Sequence, residues 1–321
     1  TFKMVTALAA LEAGVITPET RVRCPGYIEY GDRRFHCWKR GGHGTVSLQR
    51  SLSESCDVFY YDIAQKVGID KIAEMGRKLG LGQRFDIPMS AVTDGIMPNK
   101  QWKLERHKED WRIGDTINAS IGQGYVLTSP LQLAVMTARI ASGRAIAPRL
   151  VRMINDKDLP VPDAAALDIP AEYLAGVRQG MHEVINGEQG TAKSSRIVDP
   201  TMVMAGKTGT SQVRNISASE RESGVIGNDQ LPWNRRDHAL FVGYAPYDNP
   251  RYAVAVVVEH GGGGSTAAAP IGRDVILRAM SDGLPSLDAY PASQRGRIES
   301  MLNELPLRDP VTGITPVKTE T

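Results

Sequence analysis

Val203-Met204-Ala205-Gly206-Lys207-Thr208-Gly209-Thr210 is the stretch on which the fold turns. An apolar run leads into Lys-Thr-Gly-Thr, and two strand segments follow at 238–244 and 252–259. Pro246-Tyr247-Asp248-Asn249-Pro250 forms the turn between them. These segments make an antiparallel hairpin that the Lys-Thr-Gly strand can join. Side chains alternate along a strand, so Lys207 and Gly209 share one face, and Thr208 and Thr210 the other. A glycine there lets a ligand backbone come close. The lysine suits a carboxylate: it supplies charge, while threonine hydroxyls and backbone N–H groups supply directed hydrogen bonds.

The rest of the chain is mostly helical. Residues 1–15 carry Phe2, Val5, Leu8, Ala9 and Leu11 at helical spacing and end at Gly14. Lys3 is the only basic residue in this apolar helix. A buried lysine is costly unless paired or neutral, and a lysine in the first turn can also simply reach solvent. Residues 17–44 read as irregular. A helix, a short break and a second helix occupy 47–67, with Ser55-Cys56-Asp57 near the break, and another helical piece runs over 69–79. Residues 83–112 read as loop. Asn118-Ala119-Ser120-Ile121-Gly122-Gln123-Gly124 leads to a helix start at Thr128-Ser129-Pro130 and an apolar helix over 131–141. After a linker-like stretch at 150–168, a helix covers 171–185. The polar, aperiodic segment 214–236 predicts a mobile loop beside a site, and 271–280 predicts a last amphipathic helix. The expected fold class is α+β.

The composition is that of an ordinary globular protein, 41% apolar and 23% charged. A net charge of +2 gives no electrostatic case for nucleic acid, and no apolar run approaches the roughly 20 residues that cross a bilayer. The chain opens inside a helix without an initiator methionine, so the expectation is a fragment whose beginning lies elsewhere. Two units are expected: a main domain over 1–283 and a polar tail over 284–321, disordered toward its end.

Lys3 at an N-terminal helix, Ser55-x-Asp57 at a helix junction and Lys207-Thr208-Gly209 on a strand match the order of the Ser-x-x-Lys, Ser-Asp-Asn and Lys-Thr-Gly motifs of penicillin-binding proteins and related β-lactamases. Here the second motif reads Ser-Cys-Asp. Thr1-Phe2-Lys3 supplies only the last three positions of the first motif, so its serine would immediately precede Thr1. With Gly122-Gln123-Gly124, Ser129-Pro130-Leu131-Gln132 and Gly190-Thr191-Ala192 in the expected order, residues 1–283 resemble the transpeptidase domain of class B penicillin-binding proteins. Trp38-Lys39-Arg40-Gly41-Gly42-His43-Gly44 and the segment from Ser55 to Tyr61 are most similar to the elongation-specific group, penicillin-binding protein 2.

The resemblance implies the penicilloyl-serine transferase fold, an antiparallel sheet between helical regions whose first strands lie upstream of this chain. It implies a peptidoglycan D,D-transpeptidase acting through a serine acyl-enzyme and inhibited by β-lactams. Lys3 would be the base, lowered in pKa by burial and by Lys207. Ser55 would relay a proton and Asp57 would hold the network. Lys207, Thr208 and Thr210 would hold the substrate carboxylate with Gly209 between them, Gln123 would line the site, and the N–H of Thr210 would help form an oxyanion hole. The implied partners are stem peptides, β-lactams and the membrane glycosyltransferase of the elongation complex. The implied location is the periplasmic face of the inner membrane, anchored by a helix outside this chain. The competing readings are a D,D-carboxypeptidase or β-lactamase, and a zinc-stabilised scaffold without catalysis.

The three cysteines all lie in the first fifth of the chain. Cys24, Cys37, His43 and Cys56 make a Cys3His set suited to one structural zinc ion, with His36 as the lesser histidine candidate. Cys56 between Ser55 and Asp57 would fix both from behind. The alternative is a Cys24–Cys37 disulfide with Cys56 as a buried thiol.

Overall fold

The computed structural model describes residues 1–90 and 92–304. Helix α1 (Lys3–Glu12) comes first, followed by four short strands: β1 (Val22–Cys24), β2 (Tyr27–Tyr30), β3 (Arg33–His36) and β4 (Gly44–Val46). β1 pairs with β4 and β2 with β3, both antiparallel. The stretch expected to be irregular is therefore two nested hairpins, too short to show a strand period. Helices α2 (Leu48–Ser53), α3 (Asp57–Val67) and α4 (Ile69–Lys78) follow, then α5 (Lys100–His107), α6 (Ile113–Ala119) and α7 (Pro130–Ser142).

α5 lies inside the segment read as loop. Asn99 caps it, its side chain accepting from the N–H of Trp102 at 2.8 Å. Its one buried residue is Lys103, ion-paired to Asp115 at 2.7 Å, so no apolar stripe betrays the helix. α7 has the expected signals: a Ser129–Gln132 capping box, Pro130 at its start and a left-handed Gly143 at its end.

A small hairpin, β5 (Met153–Ile154) and β6 (Lys157–Asp158), interrupts the linker-like stretch before α8 (Ala171–Asn186). β7 (Ala205–Ser211) then carries the Lys-Thr-Gly motif. The segment expected to be mobile contains α9 (Ala218–Ser223), with Arg214 donating to both carboxylate oxygens of Glu220, one at 2.7 Å. β8 (His238–Ala245), β9 (Tyr252–Val258), α10 (Ala269–Met280) and α11 (Arg295–Glu304) complete the described residues. α10 is thus not the last helix. Residues 287–298 dock on the body through buried Ala289, Tyr290 and Ile298, apolar anchors spaced too far apart to announce themselves in a polar sequence. The far end of the expected tail, 305–321, lies outside the described residues.

The sheet order is β7-β8-β9, antiparallel throughout, with Lys207 opposite Val242 and Gly209 opposite Leu240. The sheet separates two cores. Ala205, Val242 and Tyr244 face a large helical core built on α1, α3, α4 and α7. Ala239, Phe241 and Ala245 face a smaller core closed by α10 and the 287–298 segment. This is the α+β arrangement of a sheet between helical regions. Among the described residues, no helix is long and apolar enough to cross a membrane.

Candidate active site

α1 is buried along almost its whole length, and this places Lys3 inside the protein with 5% of its surface exposed. Its Nζ lies 2.7 Å from Asp57 Oδ1, 2.6 Å from the Ser55 carbonyl oxygen and 3.0 Å from Ser55 Oγ. Three acceptors therefore converge on this one nitrogen. Asp57, expected to hold the network in place, is the direct ion partner of Lys3. Ser55 sits in the turn between α2 and α3 with φ at +55°, a left-handed conformation that non-glycine residues rarely adopt and that functional sites often hold under strain.

β7 forms the opposite wall. Lys207 is fully buried on the face toward the helical core, and its Nζ donates to the Thr208 carbonyl at 3.2 Å. Burial, and then the charge of Lys3, push the Lys207 pKa well below the usual lysine range, against an opposing pull from Asp57. Gly209 lies against Thr1, just before α1: a Cβ there would meet the Thr1 nitrogen at 3.0 Å and Thr1 Cγ2 at 3.1 Å. Thr208 is buried, with its hydroxyl 2.9 Å from that of Thr191, whereas Thr210 is exposed. Gln123 reaches across the cleft, its Nε2 donating to the Thr210 carbonyl at 3.3 Å. Its loop lies on Phe2, where a Cβ at Gly122 (φ +81°) would come within 2.5 Å of the Phe2 Cβ.

Behind Ser55 and Asp57, the sequence-predicted ligand set converges. The ligand atoms of Cys24, Cys37, His43 and Cys56 all lie within 4.8 Å of one another, and all four residues are buried. His43 Nδ1 is 3.6 Å from Cys24 Sγ and 3.4 Å from Cys37 Sγ. A tetrahedral zinc with Zn–S about 2.3 Å and Zn–N about 2.0 Å requires N···S edges of about 3.5 Å, so the donor set fits that ion. The cysteines are free thiols, and His36 is outside the cluster. The Cys37 thiol is held well below the ordinary range, chiefly by a hydrogen bond from Cys56 and further by His43 and the Asp57 N–H. The same contact with Cys37, followed by burial, pushes Cys56 up.

The cluster reaches Asp57 by a route that the sequence reading missed. The Asp57 N–H donates to Cys37 Sγ at 3.3 Å, and the N–H of Trp38, next to Cys37, donates to Asp57 Oδ2 at 2.8 Å. The Trp38 indole N–H bonds the Glu54 carbonyl at 3.0 Å, although the ring is 61% exposed. Each Asp57 oxygen thus has its own donor, one from Lys3 and one from Trp38. In the sequence, Trp38 stood out only as the first residue of Trp38-Lys39-Arg40-Gly41-Gly42-His43-Gly44. Thr191 is the other omission, visible before only as part of Gly190-Thr191-Ala192.

Residues 1–277 match the Penicillin binding protein transpeptidase domain. The chain is similar to the peptidoglycan D,D-transpeptidase MrdA of Haemophilus influenzae, 35% identical over 300 residues, which is 90% of this chain and 45% of that protein. It therefore spans less than half the length of this curated relative. Among solved structures it resembles Pseudomonas aeruginosa PBP2 in complex with WCK 5153, with a TM-score of 0.74 and 35% identity over 90% of this chain and 62% of that one. Helicobacter pylori PBP2 in its complex with MreC is also similar, with a TM-score of 0.72 and 33% identity over 84% of this chain and 47% of that one. With the match running from residue 1 to residue 277, this chain belongs to the penicillin-binding protein transpeptidase domain family.

Proposed function

We propose that the protein is a peptidoglycan D,D-transpeptidase of the elongation-specific penicillin-binding protein 2 type. The observation that carries this reading is the buried contact of Lys3 with both Ser55 and Asp57, facing the Lys-Thr-Gly strand. A serine directly before Thr1 would lie one helical turn from Lys3. Its hydroxyl attacks the carbonyl of the penultimate D-alanine in a D-Ala-D-Ala stem peptide. The hydroxyl proton passes to the Lys3 amine, and Ser55 conveys a proton to the departing D-alanine amine as the peptide bond breaks. The amine of a second stem peptide then attacks the acyl-enzyme ester, releasing the serine and forming the cross-link. A β-lactam acylates the same serine by ring opening. Lys207, Thr208 and Thr210 bind the carboxylate of the donor strand, and the Thr210 N–H contributes to the oxyanion hole.

The Cys24, Cys37, His43, Cys56 set would hold one zinc ion, serving structure rather than the chemical steps. Elemental analysis should find one zinc per chain, and a metal-free folded protein would remove that assignment. The solved complex of the Helicobacter pylori relative with MreC, and the similarity to a peptidoglycan synthase complex, support assembly with a membrane glycosyltransferase and its partners on the periplasmic face of the inner membrane. The upstream anchor and the boundary of the transpeptidase domain near residue 283 belong to the same proposal.

The test is intact mass after incubation with a penicillin, in a chain extended by its native residues upstream of Thr1. One covalent adduct per chain on the serine preceding Thr1, persisting for hours, is expected. No adduct in folded protein would overturn the reading in favour of a scaffold, and rapid hydrolysis of the adduct would point to a β-lactamase.

A further inference from the structure

Thr191 lies outside β7 and outside the Ser55–Asp57 turn, yet it is bonded to both sides of the cleft. Its N–H donates to the Ser53 carbonyl at 3.1 Å, two residues before Ser55. Its hydroxyl stands 2.9 Å from the Thr208 hydroxyl on the Lys-Thr-Gly strand. The turn that carries it is locked onto the end of α8. The Gly190 N–H bonds the Gly187 carbonyl at 3.1 Å, and the Ala192 N–H bonds the Val184 carbonyl at 2.9 Å. A Cβ at Gly190 would lie 2.4 Å from the carbonyl oxygens of both Glu183 and Val184, so the turn admits only glycine there. α8 packs against both α2 and β7, so the anchor of Thr191 is shared by the two walls it joins.

A threonine hydroxyl has one proton to give and two lone pairs to receive. In the Thr191–Thr208 pair only one partner donates. If Thr208 donated to Thr191, it would have no proton left for a substrate carboxylate. If Thr191 donates, the Thr208 proton is free, and a hydroxyl that is itself accepting a bond is the stronger donor.

We propose that Thr191 is a positioning residue for carboxylate recognition: its hydroxyl donates to Thr208 Oγ1 and so commits the Thr208 proton to the substrate carboxylate, while its N–H keeps the Ser55 turn in register with β7. This inference rests on the transpeptidase reading above. It concerns how the carboxylate is selected rather than how the acyl group is transferred.

The experiment compares acylation rates with a penicillin and with its carboxyl methyl ester, in the chain extended upstream of Thr1. Thr191→Val leaves the Thr208 hydroxyl its proton but removes the bond that aims it, so acylation by the free acid should slow by up to about tenfold, the full size of one hydrogen bond to a charged group, and change by less than about twofold with the ester. Thr191→Ser, which keeps the hydroxyl, should retain the wild-type preference for the acid. The double variant Thr191→Val/Thr208→Val should be no slower than Thr208→Val alone, since both remove one coupled unit. Equal slowing of acid and ester by Thr191→Val would show a merely structural role and overturn the inference, as would an unchanged preference for the acid. Should the valine variant not fold, Thr191→Ala is read by the same two comparisons. A wild-type protein that forms no adduct at all would instead overturn the transpeptidase reading, and this inference with it.

Discussion

The two walls of the cleft hold their functional groups by opposite means. On one side, Lys207 to Thr210 stand on a strand whose every residue is paired with β8, so backbone hydrogen bonds set their positions. On the other side, Ser55 and Asp57 stand at a helix junction with a left-handed serine, braced by short hairpins and by a cluster of three cysteines and a histidine. Their lysines differ in the same sense. Lys3 is buried with a carboxylate partner at 2.7 Å, whereas Lys207 is buried with a carbonyl and, among the described residues, has no carboxylate within ion-pair distance. A regular ladder can carry a buried lysine without a carboxylate partner because it does not depend on that side chain. An irregular turn needs side-chain bonds to hold its shape, and there the cation forms part of the structure.

The largest effect expected from this contrast is on Lys3. Lys3→Met should slow penicillin acylation by about 10³-fold, the scale of losing a general base. It should also lower the melting temperature, because Asp57 loses its cation while remaining buried. A variant that kept near-normal acylation would sink the assignment of Lys3 as the base.

The cysteine–histidine cluster comes next. Substituting Cys56→Ser, or removing the proposed zinc with a chelator, should cost about 2–3 kcal/mol of stability. The loss should appear as faster amide exchange around residues 22–57, while β7, β8 and β9 stay protected. Uniform exchange across both walls would mean that they are not independently held.

The smallest effect is on Lys207, and its sign is the reverse. Its folded pKa lies below its unfolded one, so in the intervening pH range the unfolded chain binds more protons and stability rises with pH. Lys207→Met should therefore be more stable than wild type at pH 7, by about 1 kcal/mol. That advantage should shrink as pH climbs toward about 10, the unfolded lysine range. Thermal melts of both proteins at pH 7 and pH 9.5 would check this. A gap that widened with pH would contradict the burial argument.

Much of this was legible in the chain because it is local. The 205–211, 238–245 and 252–258 strands, the capping signals of α7 and the Lys3, Ser55-x-Asp57 and Lys207-Thr208-Gly209 positions follow from periodicity, turn residues and motif order. The Cys24, Cys37, His43, Cys56 set was readable because few residue types make soft ligands and all the cysteines lie close together in sequence. α5 escaped because its buried face is a lysine paired with Asp115, which no apolar pattern reports. The docking of residues 287–298 escaped because three apolar anchors in a polar stretch carry no period.

By itself, then, the sequence determined which residue types stand where along the chain: a lysine in an apolar helix, a serine and an aspartate flanking a cysteine, and a Lys-Thr-Gly strand before a hairpin. Only the tertiary structure decided that Asp57 pairs directly with Lys3, that Trp38 carries the cysteine cluster's hold to Asp57, and that Thr191 spans from Ser53 to Thr208. The reason is physical. Local propensity and spacing act over one or two turns of chain, whereas these contacts join residues 17 to 138 positions apart. A hydrogen bond across that separation has no sequence signature until packing brings its ends together.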